Sequence, residues 1–201
     1  RDLRMSRGLG DVYKRQLYFM DIYQIWVTHN PAWTRREIIF FVVVFTIVTI
    51  IEAGQVHRHR VKVYQAIASL LLLAFIAIVY ASTVFTRNPM PYARYKLELF
   101  WSYKYILNGN MYYAKECFLN FLLLMPVGLL LPYVFDRKIS WWKGLLCGII
   151  LSGGVEVLQL ILRRGLFEWD DIFHNSMGCM LTTMISSFVY GTISKFFGKN
   201  K

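Results

Sequence analysis

The stretch Tyr64–Phe85, YQAIASLLLLAFIAIVYASTVF, runs for 22 residues without a formal charge. At about 1.5 Å of rise per residue, a helix of that length covers the roughly 30 Å hydrocarbon layer of a bilayer. Four further segments approach the same length. Ile38–Ile51 extends to Val56 if Glu52 and Gln55 sit at the rim, and Cys117–Phe135 is interrupted by Asn120, Pro126, Gly128 and Pro132. Gly144–Leu162 carries Glu156 and Gln159, and Ile172–Ile193 is the most polar of the set. Backbone amides in hydrocarbon must be satisfied internally, and a barrel would show short alternating segments instead, so the spans read as helices. The expected fold is all-α, an integral membrane bundle of about five transmembrane helices.

Composition agrees. The chain has 201 residues, 56% of them apolar and only 17% charged, with a mean hydropathy of +0.40. That is too little charge to cover a soluble domain of this length, and too much apolar content for disorder. Three cysteines in so long a chain exclude a disulfide scaffold. Cys117, Cys147 and Cys179 fall inside apolar spans, without Cys-x-x-Cys spacing, and read as small core residues rather than zinc ligands.

The organisation follows from these runs. Residues 1–16 hold five Lys/Arg and two Asp with no apolar run, and are read as a non-native or disordered leader. Residues 17–36 are an interfacial segment, 37–195 the transmembrane domain and 196–201 a basic tail. The net charge of +11 has a topological reading. Short connections hold Arg58, Arg60 and Lys62, then Arg137, Lys138 and Lys143, then Lys195, Lys199 and Lys201 in the tail. The other side has Arg35 and Arg36, a long loop with Arg87, Arg94, Lys96, Lys104 and Lys115, then Arg163 and Arg164. The first set is packed into short loops, which places the C-terminus in the cytoplasm and the N-terminus outside. Basic residues scattered around apolar spans, with no stripe or motif, argue against nucleic acid.

Polar residues where polarity is expensive mark the candidate site. Glu156, Gln159 and Arg163 are spaced i, i+3 and i+7, on one helical face. Glu116 and Asn120 share a face of the third span, and Asp171, Asn175 and Gly178 a face of the fifth. Antiparallel packing gathers Glu116, Asn120, Arg163, Arg164, Asp170 and Asp171 at the surface of the long loop, with Glu156 about two turns deeper. Such groups can simply fasten helices together, Asp170 can be an N-cap, and Pro126, Gly128 and Pro132 can bend the third span. A functional cluster could bind a phosphate or sugar head group through the arginine fork. Glu156 or Asp171 could do acid–base work, and Asp170 and Asp171 with Glu116 could hold Mg²⁺ or pair with arginine. No nucleophile sits in a signature suited to covalent catalysis, and neither a cofactor nor a metal is assigned.

The arrangement Asn120-x5-Pro126-x-Gly128-x3-Pro132, then Ser152-x3-Glu156-x2-Gln159, then Arg164-Gly165-x-Phe167-Glu168-x-Asp170-Asp171-x3-Asn175-x2-Gly178 resembles the VanZ-like family, over residues 116–184. Glu168, Trp169 and His174 are local departures from that pattern. The resemblance implies a small multi-helix integral protein of the bacterial cytoplasmic membrane, associated with low-level resistance to the glycopeptide teicoplanin. Three readings stay open: a non-enzymatic protein that binds or shields a lipid-linked envelope component or the glycopeptide, an intramembrane enzyme acting on a lipid-linked head group, and a small transporter. The ligand-binding set is Glu116, Asn120, Glu156, Gln159, Arg163, Arg164, Asp170, Asp171 and Asn175. The structural set is Pro126, Gly128, Pro132 and Gly178.

Overall fold

The computed structural model describes residues 33–198. The expected leader, residues 17–32 of the interfacial segment, and Lys199 and Lys201 lie outside the described residues. Helix α1, Arg35–His57, starts at a capping box that pairs Thr34 with Glu37. The Glu37 amide donates to Thr34 Oγ1 at 3.4 Å, and the Thr34 amide to Glu37 Oε2 at 2.8 Å. None of the residues of α1 is buried, so it offers its apolar side chains to lipid on most sides and packs chiefly on α2. Helix α2, Val63–Tyr80, runs on into a π turn, Ala81–Phe85, closed by the Thr86 amide on the Ala81 carbonyl at 2.9 Å.

The third apolar run is not one helix. It folds as α4, Met111–Leu123, and α5, Met125–Val134, hinged at Leu124. Pro126 lacks an amide hydrogen, so the helix restarts around it, and Pro132 is buried inside α5. The carbonyls of Met125 and Leu129 accept from Thr182 Oγ1 and Ser186 Oγ of the last helix, at 2.8 and 2.7 Å. Helix α6 spans Trp141–Leu162, and α7 spans Trp169–Gly198. Residues 196–198 of the expected tail therefore continue the last helix.

Helix α7 occupies the centre, with α4, α5 and α6 packed around it. This explains its polarity. Ser176, Thr182, Thr183, Ser186 and Ser187 are all buried, with their hydroxyls on backbone carbonyls. Among the described residues, four segments (α1, α2 with its π turn, the α4–α5 pair and α6) are long and apolar enough to cross a membrane. The last helix, 30 residues long, has the length but not the apolar composition, because one face of its middle, with Thr182, Thr183, Ser186 and Ser187, is buried against neighbouring helices while Leu181, Met184, Ile185 and Phe188 stay exposed.

Close approach replaces hydrophobic drive between helices in lipid. On α6, Gly144, Gly148 and Ser152 recur every four residues and face α7, where a Cβ on Gly148 would lie 2.6 Å from Ser176 Cα. Gly128 of α5 meets Cys179 and Thr182 in the same way, and Gly178 of α7 lies against the Phe121 carbonyl of α4. Val79, Val84, Leu124, Val127, Val155 and Cys179 form the apolar core between these contacts.

The long loop between α2 and α4 is folded, not open. Its strand β1, Arg94–Lys96, pairs in parallel with β2, Leu166–Glu168, which joins α6 to α7. A short helix α3, Trp101–Leu107, follows β1. Together they form a lid over the end of the bundle that holds the expected polar cluster.

Candidate functional site

The floor of the site comes from α4, α6 and α7. Glu156 is buried, and its Oε2 accepts from the Glu168 amide at 2.9 Å, which ties the α6 carboxylate to the strand above it. Asn120 Nδ2 donates to Asp171 Oδ1, joining α4 to α7. Asn175 is buried, donates to Ser152 Oγ at 2.8 Å, and keeps an Oδ1 with no hydrogen-bond partner among the described residues. Glu116 is exposed and lines a small cleft with Trp101, Cys117, Glu168, Asp170 and Asp171. The structure thus gathers Glu116, Asn120, Glu156, Asp170, Asp171 and Asn175 at one end, as their spacing suggests.

The two adjacent aspartates face different ways. Asp170 is buried and caps α3, taking the amides of Phe100 and Ser102 and the Ser102 hydroxyl, the last at 2.6 Å. Its capping role serves the lid helix rather than its own. Tyr103 of α3 stacks on His174, with Tyr103 Oη and His174 Nε2 2.9 Å apart, which fastens the lid a second time. Both Asp170 oxygens are thus engaged by the start of α3. Among the described residues, no group of three or more His, Cys, Asp or Glu is placed to hold a metal ion.

Arg163 does not share the face of Glu156 and Gln159. It ends α6 in the left-handed region, at φ 56°, and its side chain turns outward to the Pro91 carbonyl at 3.1 Å. Arg164 donates to the Phe85 carbonyl, and buried Gln159 donates to the Thr83 carbonyl at 2.9 Å. These two side chains clamp the π turn, whose carbonyls lack the regular helical partners. The arginine beside the acids is Arg87, which follows the π turn. Burial pulls its guanidinium down from its ordinary value, while the charges of Glu156 and Asp171 pull it up. Its Nε is buried with no hydrogen-bond partner among the described residues. Its signal in the sequence was position: it is the first charge after the apolar run, on the side of the long loop.

Glu168 has the other informative environment. Burial first, then the neighbouring Glu116 and Asp170 charges, raise its carboxyl to about 7, against the opposing pull of Trp101 and Lys96. A raised acid favours the folded state when protonated. Its contribution is therefore full below the ordinary carboxyl value of 4.5 and lost as pH rises to about 7. Unfolding free energy measured between those limits should fall with pH in the parent and fall less in Glu168→Gln. Equal slopes would mean that Glu168 does not titrate in this window.

The family described as VanZ/LLP1 matches residues 38–190. The chain belongs to the VanZ/LLP1 family. No curated protein and no solved structure matches it. The VanZ/LLP1 match runs from the first turn of α1 through most of α7, so the two N-terminal helices, which carry no motif of the resemblance, are part of the family unit. In this VanZ/LLP1 chain the polar end sets Arg87 beside Glu156 and Asp171, and Lys96 near Glu168.

Proposed function

We propose that this VanZ-like protein lowers susceptibility to teicoplanin by binding or shielding a lipid-linked component of the bacterial cell envelope. The polar head of that component would rest at the lid end, against Glu156, Asp171, Asn175 and Arg87. We place the protein in the cytoplasmic membrane with its C-terminus inside and the lid end outside, where envelope components are assembled and glycopeptides act. The observation that carries the reading is the convergence of half-buried Arg87 with Glu156, Asp171 and the partly unpartnered Asn175, in a VanZ/LLP1 chain. Intramembrane ionisable groups that converge in this way mark ligand sites by default.

The test is growth inhibition by teicoplanin in a susceptible bacterium expressing the parent or Arg87→Gln at equal membrane abundance, with envelope lipids profiled in parallel. The parent should raise the inhibitory concentration several-fold, and Arg87→Gln should return it to the vector level, with lipid composition unchanged throughout. No effect of the parent would remove the resistance reading. A lipid profile that changes with the parent and reverts with Arg87→Gln would instead support an enzyme acting on a lipid-linked head group, for which Glu156 and Asp171 are the acid–base candidates.

A further inference from the structure

The opposite end of the bundle holds an apolar groove of about 410 Å³ between α2, α5 and α6. That volume falls within the 300–1,000 Å³ typical of small-molecule sites. Leu72 of α2, Leu131 of α5, and Leu146, Ile150 and Leu151 of α6 line it. Arg137 and Lys143 stand at its mouth. From Lys143 down to Leu151 the groove follows α6 for about 12 Å at a helical rise of 1.5 Å per residue.

We propose that this groove binds an anionic phospholipid, with an acyl chain along α6 and the phosphate against Arg137 and Lys143. Three observations select that occupant. First, the groove is open to the lipid side, with Leu146 and Ile150 48% and 62% exposed, so in a membrane an acyl chain must fill it or leave a void. Second, neither cation at the mouth has a carboxylate partner among the described residues. The Arg137 guanidinium lies over the Phe135 ring at 5.8 Å and the Lys143 ammonium over Trp142 at 5.3 Å. The adjacent carboxylate, Asp136, is already held by Lys62 at 2.7 Å and by the hydroxyls of Tyr64 and Tyr190. That environment keeps the Asp136 carboxyl down at about 2, so it stays paired with Lys62 at neutral pH. Third, exposed Trp141 and Trp142 begin α6 beside the mouth, which sets this level at the head groups where tryptophan gathers. The site is independent of the polar end described above.

The experiment uses the full chain in phosphatidylcholine vesicles with trace spin-labelled phosphatidylglycerol or phosphatidylcholine of the same acyl chains, reading the motionally restricted fraction. Phosphatidylglycerol should be preferred, and Arg137→Gln and Lys143→Gln should each reduce that preference about fivefold, as expected for one basic residue at a membrane surface. The double variant should remove it. Ile150→Trp, which fills the groove and leaves both charges, should reduce restriction of both lipids. Thermal unfolding of each variant checks that the bundle is intact. Equal restriction of the two lipids would overturn the proposal, as would an unchanged preference in an intact double variant. Competition by soluble glycerol 3-phosphate as effective as that by the whole lipid would show a phosphate contact without use of the groove, and would overturn it too.

Discussion

Asp170→Ala is expected to lower the unfolding free energy by about 3 kcal/mol and to release the lid, given typical values for hydrogen bonds to a charged acceptor and for buried donors left unpaired. The carboxylate is 3% exposed and takes three donors from the start of α3, the amides of Phe100 and Ser102 and the Ser102 hydroxyl. Alanine leaves all three donors without their acceptor, and it removes an acid from the first turn of α7, where the helix dipole favours negative charge. Asparagine keeps an acceptor oxygen and should cost only about 1 kcal/mol. Denaturant unfolding in micelles measures both values, and limited proteolysis between Asn88 and Phe100 reports the lid separately. If Asp170→Ala unfolds like the parent and its loop is cut no faster, the lid is held by other contacts.

Gly178→Val should do comparable or greater damage at the middle of the bundle. A Cβ at this position would overlap the Phe121 carbonyl and press on Met125 Cγ at 3.3 Å, and a backbone carbonyl in a helix cannot move aside as a side-chain tip can. Ordinary overpacking costs about 1–3 kcal/mol, so a value of at least about 3 kcal/mol is expected, seen as lost folded protein after extraction. Gly153→Val is the matched comparison. Gly153 lies in α6 with no heavy atom within 4 Å of an added Cβ, and its substitution should stay within about 0.5 kcal/mol of the parent. Equal stability of the two variants would mean that α4 and α7 do not approach as closely as described.

The helices were legible because apolar length is a one-dimensional property, and four of the five expected runs return as segments able to cross a bilayer. The fifth, Ile172–Ile193, read as the most polar, and its polarity turned out to report position rather than weakness as a helix: Thr183 and Ser186 are almost wholly buried. The split at Leu124 was half visible, since Pro126 marked a disturbance but not whether the chain bends or restarts. Asn120, Glu156, Asp171 and Asn175 could be found because an amide or acid inside an apolar run is costly and must be explained. The i+7 spacing set Arg163 on the face of Glu156, but α6 ends at Leu162, and Arg163, in the left-handed region, turns to the Pro91 carbonyl instead. The lid was out of reach for a different reason. It depends on Arg94–Lys96 meeting Leu166–Glu168, a pairing of short strands with no local pattern to announce it.

The central position of α7 bears on how the protein is made. The other helices precede it in the chain, yet Gly128 of α5, Gly144 and Gly148 of α6 and the carbonyls of Met125 and Leu129 all meet partners on it. Until α7 leaves the ribosome and enters the bilayer, the earlier segments have nothing to close around and would wait side by side in lipid with those groups uncovered. Its own hydroxyl-rich middle is poorly suited to partition into lipid alone. Insertion of the last segment and assembly of the bundle are therefore one event, and a ribosome stalled just before Trp169 would leave a nascent chain exposed to membrane quality-control proteases.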